Sequence, residues 1–331
     1  MERFARAVLW ATIATGLFVA ALPSARADTK PVEHLKVTLL SSMVVDYLGD
    51  NEGVGEWGFA ALVEVDGRRI LFDTGAHPGT VLTNARALGL ELSDVTDVVL
   101  SHFHDDHTGG LLALRRELRR RNPHAMEHAH VGRGFFWARR DDGTPVKASE
   151  RLAADYHRLG GTMIEHDGAE ELAPGVWVVA SVKRRTDEAN YPQELEVQLP
   201  NGAWTRDNVP DDMTLVIVTK EGPVVITGCG HAGIINVLTA VSESVMNAPV
   251  DAVIGGLHLY RQSDARIDWT AAEMRRFGVR HVLAAHCTGL EAVARLRSGL
   301  GRDRPTVLQG AVGSSYSLEH GIDAGPEGLT R

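Results

Sequence analysis

Val98-Val99-Leu100-Ser101-His102-Phe103-His104-Asp105-Asp106-His107-Thr108-Gly109-Gly110 is the stretch whose reading decides the fold. Its apolar start reads as a strand buried on both faces, and Thr108-Gly109-Gly110 as the turn that follows. Imidazoles and carboxylates at the carboxyl end of a buried strand stand on a rigid support and face a cleft. They are the ligand types of zinc and other borderline divalent metals. In an extended segment His102 and His104 point to the same side, so one ion can take both. Asp106 and His107 follow where the chain turns, within reach of a second ion. A solvated His-rich loop is the competing reading, and the strand before and glycines after the motif favour the metal site.

HFHDDH followed by TGG resembles the HxHxDH signature of the metallo-β-lactamase superfamily. The resemblance implies an α/β fold of the αββα sandwich type. Two mixed sheets pack face to face between helices, with one or two metal ions at the upper edge.

Working outward, Glu56 to Val65 reads as a strand that turns at Asp66-Gly67 and pairs with Arg69 to Gly75. Asp73 ends that second strand at the same edge as His102. In the resembled superfamily this FDTG segment supports the metal site from behind, its carboxylate orienting a ligand imidazole. A plain turn-forming aspartate is the alternative. Leu35 to Leu40 and Val44 to Leu48 read as further strands, and Thr80 to Leu88 as a helix ended by Gly89. Leu111 to Arg121 reads as a helix whose run of arginines forms a solvated basic face. This alternation of strands and helices excludes an all-β sandwich.

The middle of the chain is less patterned. His130 ends a strand and precedes Arg133, Phe135, Phe136 and Trp137, which either wall a substrate cleft or pack locally. Lys183-Arg184-Arg185 follows the strand Val176 to Ala180 and would attract an anionic substrate, unless it is simply a solvated strand end. Thr186 to Asp211 is a long polar loop, of the kind that acts as a lid or carries small elements of its own.

Downstream, three apolar runs each deliver a histidine. Pro223 to Thr227 leads into Gly228-Cys229-Gly230-His231, Asp251 to Leu257 into His258, and His281 to Ala285 into His286. Where much of the superfamily has a bridging aspartate, Cys229 stands here. A thiolate can replace a carboxylate on a metal, or Cys229 packs and His231 alone binds. His286 resembles the closing ligand of the superfamily, with His258 as its competitor. The resulting set places His102, His104 and His231 on one ion and Asp106, His107 and His286 on the other.

The segments TGCGHAGIINVL, AVIGGLH and AHCTG, with EWGF and LFDTG upstream, also resemble one branch of the superfamily. That branch includes the dihydropterin–ribofuranosylaminobenzene-phosphate synthases of methanopterin biosynthesis and many metal-dependent hydrolases. The match runs in order from about Val37 to Gly289.

Residues 1–27 depart from that branch. Arg3 and Arg6 form a basic head, Ala7 to Leu22 is almost wholly apolar, and Ala25-Arg26-Ala27 has the small-x-small form of a cleavage site. The reading is a signal peptide of residues 1–27 and a single domain of residues 28–331, exported to a periplasm. A retained N-terminal anchor is the alternative. The leader holds Arg3, Arg6 and Arg26 against Glu2, so its removal takes the formal charge from −9 to −11. That acidity argues against nucleic acid as a partner and leaves a small molecule as the expected one. Of the two cysteines, Cys229 and Cys287, export would permit one disulfide.

Neither a GxSxG elbow nor a GxxxxGK[ST] loop occurs, so serine hydrolysis and nucleoside triphosphatase chemistry lack support. The expected activity is metal-dependent hydrolysis by a metal-bound hydroxide, with zinc as the expected metal and iron or manganese as alternatives. The expected substrate is a small ester, lactone, amide or phosphoester, anionic if the run Lys183-Arg184-Arg185 serves the cleft. An iron-dependent oxidoreductase and a non-catalytic binding protein are the competing functions.

Overall fold

The hairpin at Asp66-Gly67 forms as its sequence dictates: both residues take positive φ, 44° and 79°, the backbone a tight two-residue turn requires. It joins the strands Ala60–Val65 and Arg68–Phe72. The computed structural model describes residues 29–48, 53–188 and 195–330. The leader of residues 1–27 lies outside them, and among the described residues no helix is long and apolar enough to cross a membrane.

Two large sheets carry the fold. The first has eight strands, running from Gly321–Asp323 and Ser315–Ser317 through Leu35–Ser41 and the hairpin to Asp97–Val99, His128–Gly132 and Thr162–His166. The second has seven, from Val307–Gln309 through His281–Ala284, Ala252–Gly255 and Gly222–Thr227 to Thr214–Thr219, Val176–Val179 and Ala169–Ala173. Within each sheet one block is parallel: Arg68–Phe72 with Asp97–Val99, His128–Gly132 and Thr162–His166, and Gly222–Thr227 with Ala252–Gly255, His281–Ala284 and Val307–Gln309. The carboxyl ends of parallel strands are where open α/β sheets bind ligands.

Side-chain alternation builds the layers. Leu215 and Ile217 point between the sheets, against Leu39, Phe59 and Phe72. Val216 and Val218 point outward, into the layer of Ile234–Ser244, Asp264–Arg276 and Leu290–Leu300. On the far side Leu62, Leu71 and Val98 pack on Thr80–Ala87, Leu111–Leu118 and Ala148–Arg158. With both faces of both sheets covered, the central strands read as continuous apolar runs. The αββα architecture expected from HFHDDH is the one observed.

Several local expectations are corrected. Val44 to Leu48 is not a continuous strand: Val45 makes an isolated bridge to Val312, and Asp46 turns to accept from the backbone N–H of Glu327 and Gly328 at 3.1 and 3.0 Å. Glu56 is not in a strand; its buried carboxylate accepts from Ser41 Oγ, Thr80 Oγ1 and the N–H of Ala76 and His77, which ties down the loop after Asp73. The arginine run is not wholly solvated. Arg115 is buried and donates to the carbonyls of Pro123, Ala125 and Gly160. Thr108 lies in a one-turn helix, Asp105–Thr108, rather than in a turn.

The polar loop carries elements of its own: Leu195–Gln198 and Trp204–Arg206 join Arg139–Asp141 and Thr144–Val146 in a four-stranded sheet. Arg139 pins that sheet to the motif. Its guanidinium pairs with Asp207 at 2.7 Å and Asp211 at 2.6 Å, and stacks 3.7 Å over the Phe103 ring. Asp211 in turn accepts from the Phe103 N–H at 2.8 Å. Burial pushes the Asp211 carboxyl up to about 6 against the pull of Arg139. Arg139→Met would leave two buried carboxylates without their cation, and removing one partner of a buried pair costs about 3–5 kcal/mol. Urea unfolding should show a loss of that size; a loss below about 1 kcal/mol would show that water replaces the guanidinium there.

Candidate metal centre

Each candidate residue sits just past the end of a parallel strand or in the turn after it. Asp97–Val99 leads to His102 and His104, and the short helix Asp105–Thr108 carries Asp106 and His107. From the facing sheet, Gly222–Thr227 leads to Cys229 and His231, Ala252–Gly255 to His258, and His281–Ala284 to His286. The sheets are stitched here by Met213 N–H donating to Ser101 O at 2.8 Å.

The ligating atoms of His102, His104 and His231 lie within 4.8 Å of one another, and so do those of Asp106, His107 and His286. His102 presents Nε2 and His104 presents Nδ1, 2.9 Å apart. His286 Nε2 is 3.3 Å from Asp106 Oδ2, and His107 Nε2 is 3.8 Å from the same oxygen. Cys229 stands between the triads, its sulfur grouped with His102 and His107 and 3.2 Å from His107 Nε2. It also belongs to a further group with His258 and Cys287.

Asp73 lies behind the second triad rather than in it. Its Oδ2 is 2.7 Å from His107 Nδ1 and accepts from Ser101 Oγ at 2.8 Å, while Oδ1 accepts from the Ser101 N–H at 2.7 Å. A carboxylate on Nδ1 fixes the tautomer and turns Nε2 toward the cleft. Ser101 Oγ also sits 2.8 Å from His102 Nδ1, a role the sequence reading missed although Ser101 adjoins His102.

Charge distribution follows from crowding and burial. Burial and the neighbouring imidazoles of His107, His104 and His231 hold His102 well below the usual histidine range, in the neutral form that can ligate. Burial takes His104 down to about 4. Burial opposes ionisation of Asp106, but His107 and His286 beside it hold its carboxyl well below the carboxylate range. Burial likewise opposes protonation of His107 and His286, but Asp106 and Asp73 lift His107, while the Cys287 sulfur and Asp106 lift His286 to about 10.

Two walls border the centre. On one side the ring of Trp57, an exposed residue, lies 5.0 Å from His286 and 5.2 Å from Tyr260; neither was singled out from sequence, because a lone aromatic carries no spacing signal. On the other lies a cavity of about 520 Å³ lined by Arg133, Trp137, Lys183, Arg184, Asp212 and Ala232 among others. Arg184 donates to His231 O, and Asp212 accepts from the Ala232 N–H at 2.7 Å, so the cavity opens beside His231. Phe135 is in the core instead, with Phe136 packed against it. His130 is not part of the centre: it bonds His166 at 2.9 Å and Asp97 at 3.0 Å.

The sequence profile of the metallo-beta-lactamase superfamily matches residues 58–286. The 7,8-dihydropterin-6-methyl-4-(beta-D-ribofuranosyl)-aminobenzene-5'-phosphate synthase of Methanocaldococcus jannaschii is 30% identical over 270 residues, 79% of this chain and 90% of that protein. A solved metal-dependent hydrolase of the beta-lactamase superfamily aligns with a TM-score of 0.65 and 29% identity, over 80% of this chain and 93% of that one. A metallo-beta-lactamase fold protein from Bacillus subtilis, 14% identical, shares the fold with a TM-score of 0.50, over 86% of this chain and 99% of its own.

Asp73→Asn tests the support behind His107. Removing such an orienting carboxylate costs about 10–100-fold in metal affinity, which competition against a chelator would read. Unchanged affinity would reduce Asp73 to a turn residue.

Proposed function

The chain belongs to the metallo-beta-lactamase superfamily, and from that membership we propose that it is a metal-dependent hydrolase of a small anionic ester, lactone, amide or phosphoester. The observation that carries the reading is the meeting of two ligand triads, one of three histidines and one of Asp106, His107 and His286, beside a basic cleft.

The donors fit a pair of divalent ions. His286 Nε2, the atom that meets Asp106 in the second triad, is buried with no hydrogen-bond partner, an arrangement that ordinarily signals an ion or a water. Imidazole with carboxylate suits zinc first, with iron and manganese as the alternatives. His102, His104 and His231 would hold one ion, and Asp106, His107 and His286 the other. When bound, such a pair polarises a carbonyl or phosphoryl oxygen and lowers the pKa of water toward neutrality.

The remaining work falls to the chain. Asp106 keeps 19% of its side chain exposed, and its carboxylate, held ionised by His107 and His286, accepts a hydrogen bond from the attacking water and orients it. Asp73 holds His107 in the ligating tautomer. Arg133, Lys183 and Arg184 draw an anionic group into the cleft beside His231, and Trp57 and Tyr260 screen the opposite side from water. A second reading is favoured by the archaeal relative that is named a synthase: the same centre would join two substrates, with the second one, rather than water, supplying the nucleophile. Residues 1–27 we read as an export signal cut after Ala27, supported by the basic head, apolar run and Ala25-Arg26-Ala27.

Elemental analysis of protein purified without added metal, followed by an ester, lactone and phosphoester panel on the same sample, tests the function. Bound divalent ions with turnover on one class support it. Bound ions with no hydrolysis remove it in favour of group transfer, and iron with oxygen uptake moves it to an oxidoreductase. His231→Ala should lose metal and nearly all activity, while Cys229→Ser keeps the ion pair at altered affinity; equal loss in both makes Cys229 a full ligand. Asp106→Asn should leave the fold and the ion on His102 and His104 in place and cut turnover by at least ~10²-fold. Unchanged turnover with less metal would mean that the first ion suffices.

A further inference from the structure

The two cysteines of this 331-residue chain meet. Cys229 and Cys287 are both buried, and their sulfurs lie 3.3 Å apart. They come from the ends of Gly222–Thr227 and His281–Ala284, the strands on either side of Ala252–Gly255. Contact across an intervening strand needs that strand to yield space, and Gly256 yields it. A Cβ there would lie 2.9 Å from Cys287 Sγ and 2.2 Å from Gly228 O. Two residues on, His258 takes φ +50°, a left-handed conformation that is uncommon outside glycine. One ligating atom each from Cys229, His258 and Cys287 falls within 4.8 Å of the others, and His258 Nδ1 is buried without a hydrogen bond.

We propose that Cys229, His258 and Cys287 form a third metal site, for a thiophilic d10 cation such as zinc or cuprous ion, beside the two triads. The donor set decides the class: two thiolates and an imidazole select soft and borderline ions over magnesium, calcium or manganese. The geometry is close to what such an ion needs. Two sulfurs at about 2.3 Å from one tetrahedral zinc stand about 3.8 Å apart, so the pair has to open by only about half an ångström. An ion there also balances two thiolates in a buried setting, where unpaired charge is costly. This site does not depend on the hydrolytic reading, since its donors Cys287 and His258 are outside both triads.

The test uses the full chain, stripped of metal, reduced and kept anaerobic. Titration with cobalt should raise a near-ultraviolet thiolate-to-cobalt absorption that Cys287→Ser and His258→Ala each weaken or abolish. Both variants should keep the metal of the two triads, so their zinc content falls by one ion per chain. Competition for cuprous ion against a chromogenic chelator, set beside the zinc titration, shows which d10 ion the site holds more tightly. A band that depends on Cys229 alone overturns the proposal, because Cys229 would then serve the triads; equal metal content in wild type and Cys287→Ser overturns it too. Cadmium NMR on the unsubstituted chain reads the number of sulfurs on the ion without relying on a variant's folding. Two sulfurs support the site, and one or none rejects it.

Discussion

The buried carboxylate of Asp73 is the constraint around which the two sheets close. It accepts from Ser101 twice and holds His107 Nδ1 at 2.7 Å, so one side chain of the first sheet fixes the backbone leading to His102 and the ring that faces the second triad. The opposite sheet reaches the same point through Gly228. A Cβ at that position would lie 2.0 Å from Ser101 Oγ and 2.6 Å from Asp73 Oδ2. Only glycine lets the strand bearing Cys229 and His231 approach the strand bearing His102. A buried anion that lost these donors would leave the full desolvation cost unmet, so the support and the centre stand or fall together.

The second brace is ionic. Arg139 satisfies Asp207 and Asp211 while donating to the carbonyls of Gly134, Phe135 and Trp137. A buried ion pair of this kind is weak evidence for net stability, but its position is informative. It ties the four-stranded sheet and the segment bearing Arg133 and Trp137 to the Phe103 backbone, inside the motif itself. The basic cleft is thereby held at a fixed place relative to His102 and His104.

The motif and the histidines after it were legible because each lies directly behind an apolar run, and buried strands impose that pattern whatever the neighbours. Partnerships across the sheets were not legible. Nothing in the spacing of Cys229 and Cys287, 58 residues apart, indicates that their strands flank a third with glycine at its end. Arg115 looked solvated because helix periodicity places it near an apolar stripe but cannot show the carbonyls of Pro123, Ala125 and Gly160 waiting there. The strand Ser315–Ser317, which pairs with Leu35–Ser41, was too short and too polar to register. Glu56 was read into a strand because Trp57 and Phe59 beside it mimic alternation, whereas its carboxylate binds the loop of Ala76 and His77.

Part of the backbone strain gathers at the site, although Met126, Ser181 and Val209 hold positive φ elsewhere. Asp73, His258 and His286 all hold positive φ, at 56°, 50° and 46°, and each such non-glycine residue costs of order 1–3 kcal/mol. All three follow parallel strands at the one edge where the sheets meet. A chain free to relax would put glycine or asparagine at those turns, as it does glycine at Gly89 and Gly278, which end helices with φ +67° and +70°. Keeping a functional side chain in a backbone conformation meant for glycine makes sense only if the side chain's direction matters more than the local cost. For Asp73 the direction is set by Ser101 and His107, protein groups already in contact. His258 and His286 each keep a buried ring nitrogen without a hydrogen bond, and each belongs to a group of metal-ligating atoms. The strain at these two positions therefore fits ions as the missing partners, and the same logic extends past the paired triads to the two sulfurs beside them.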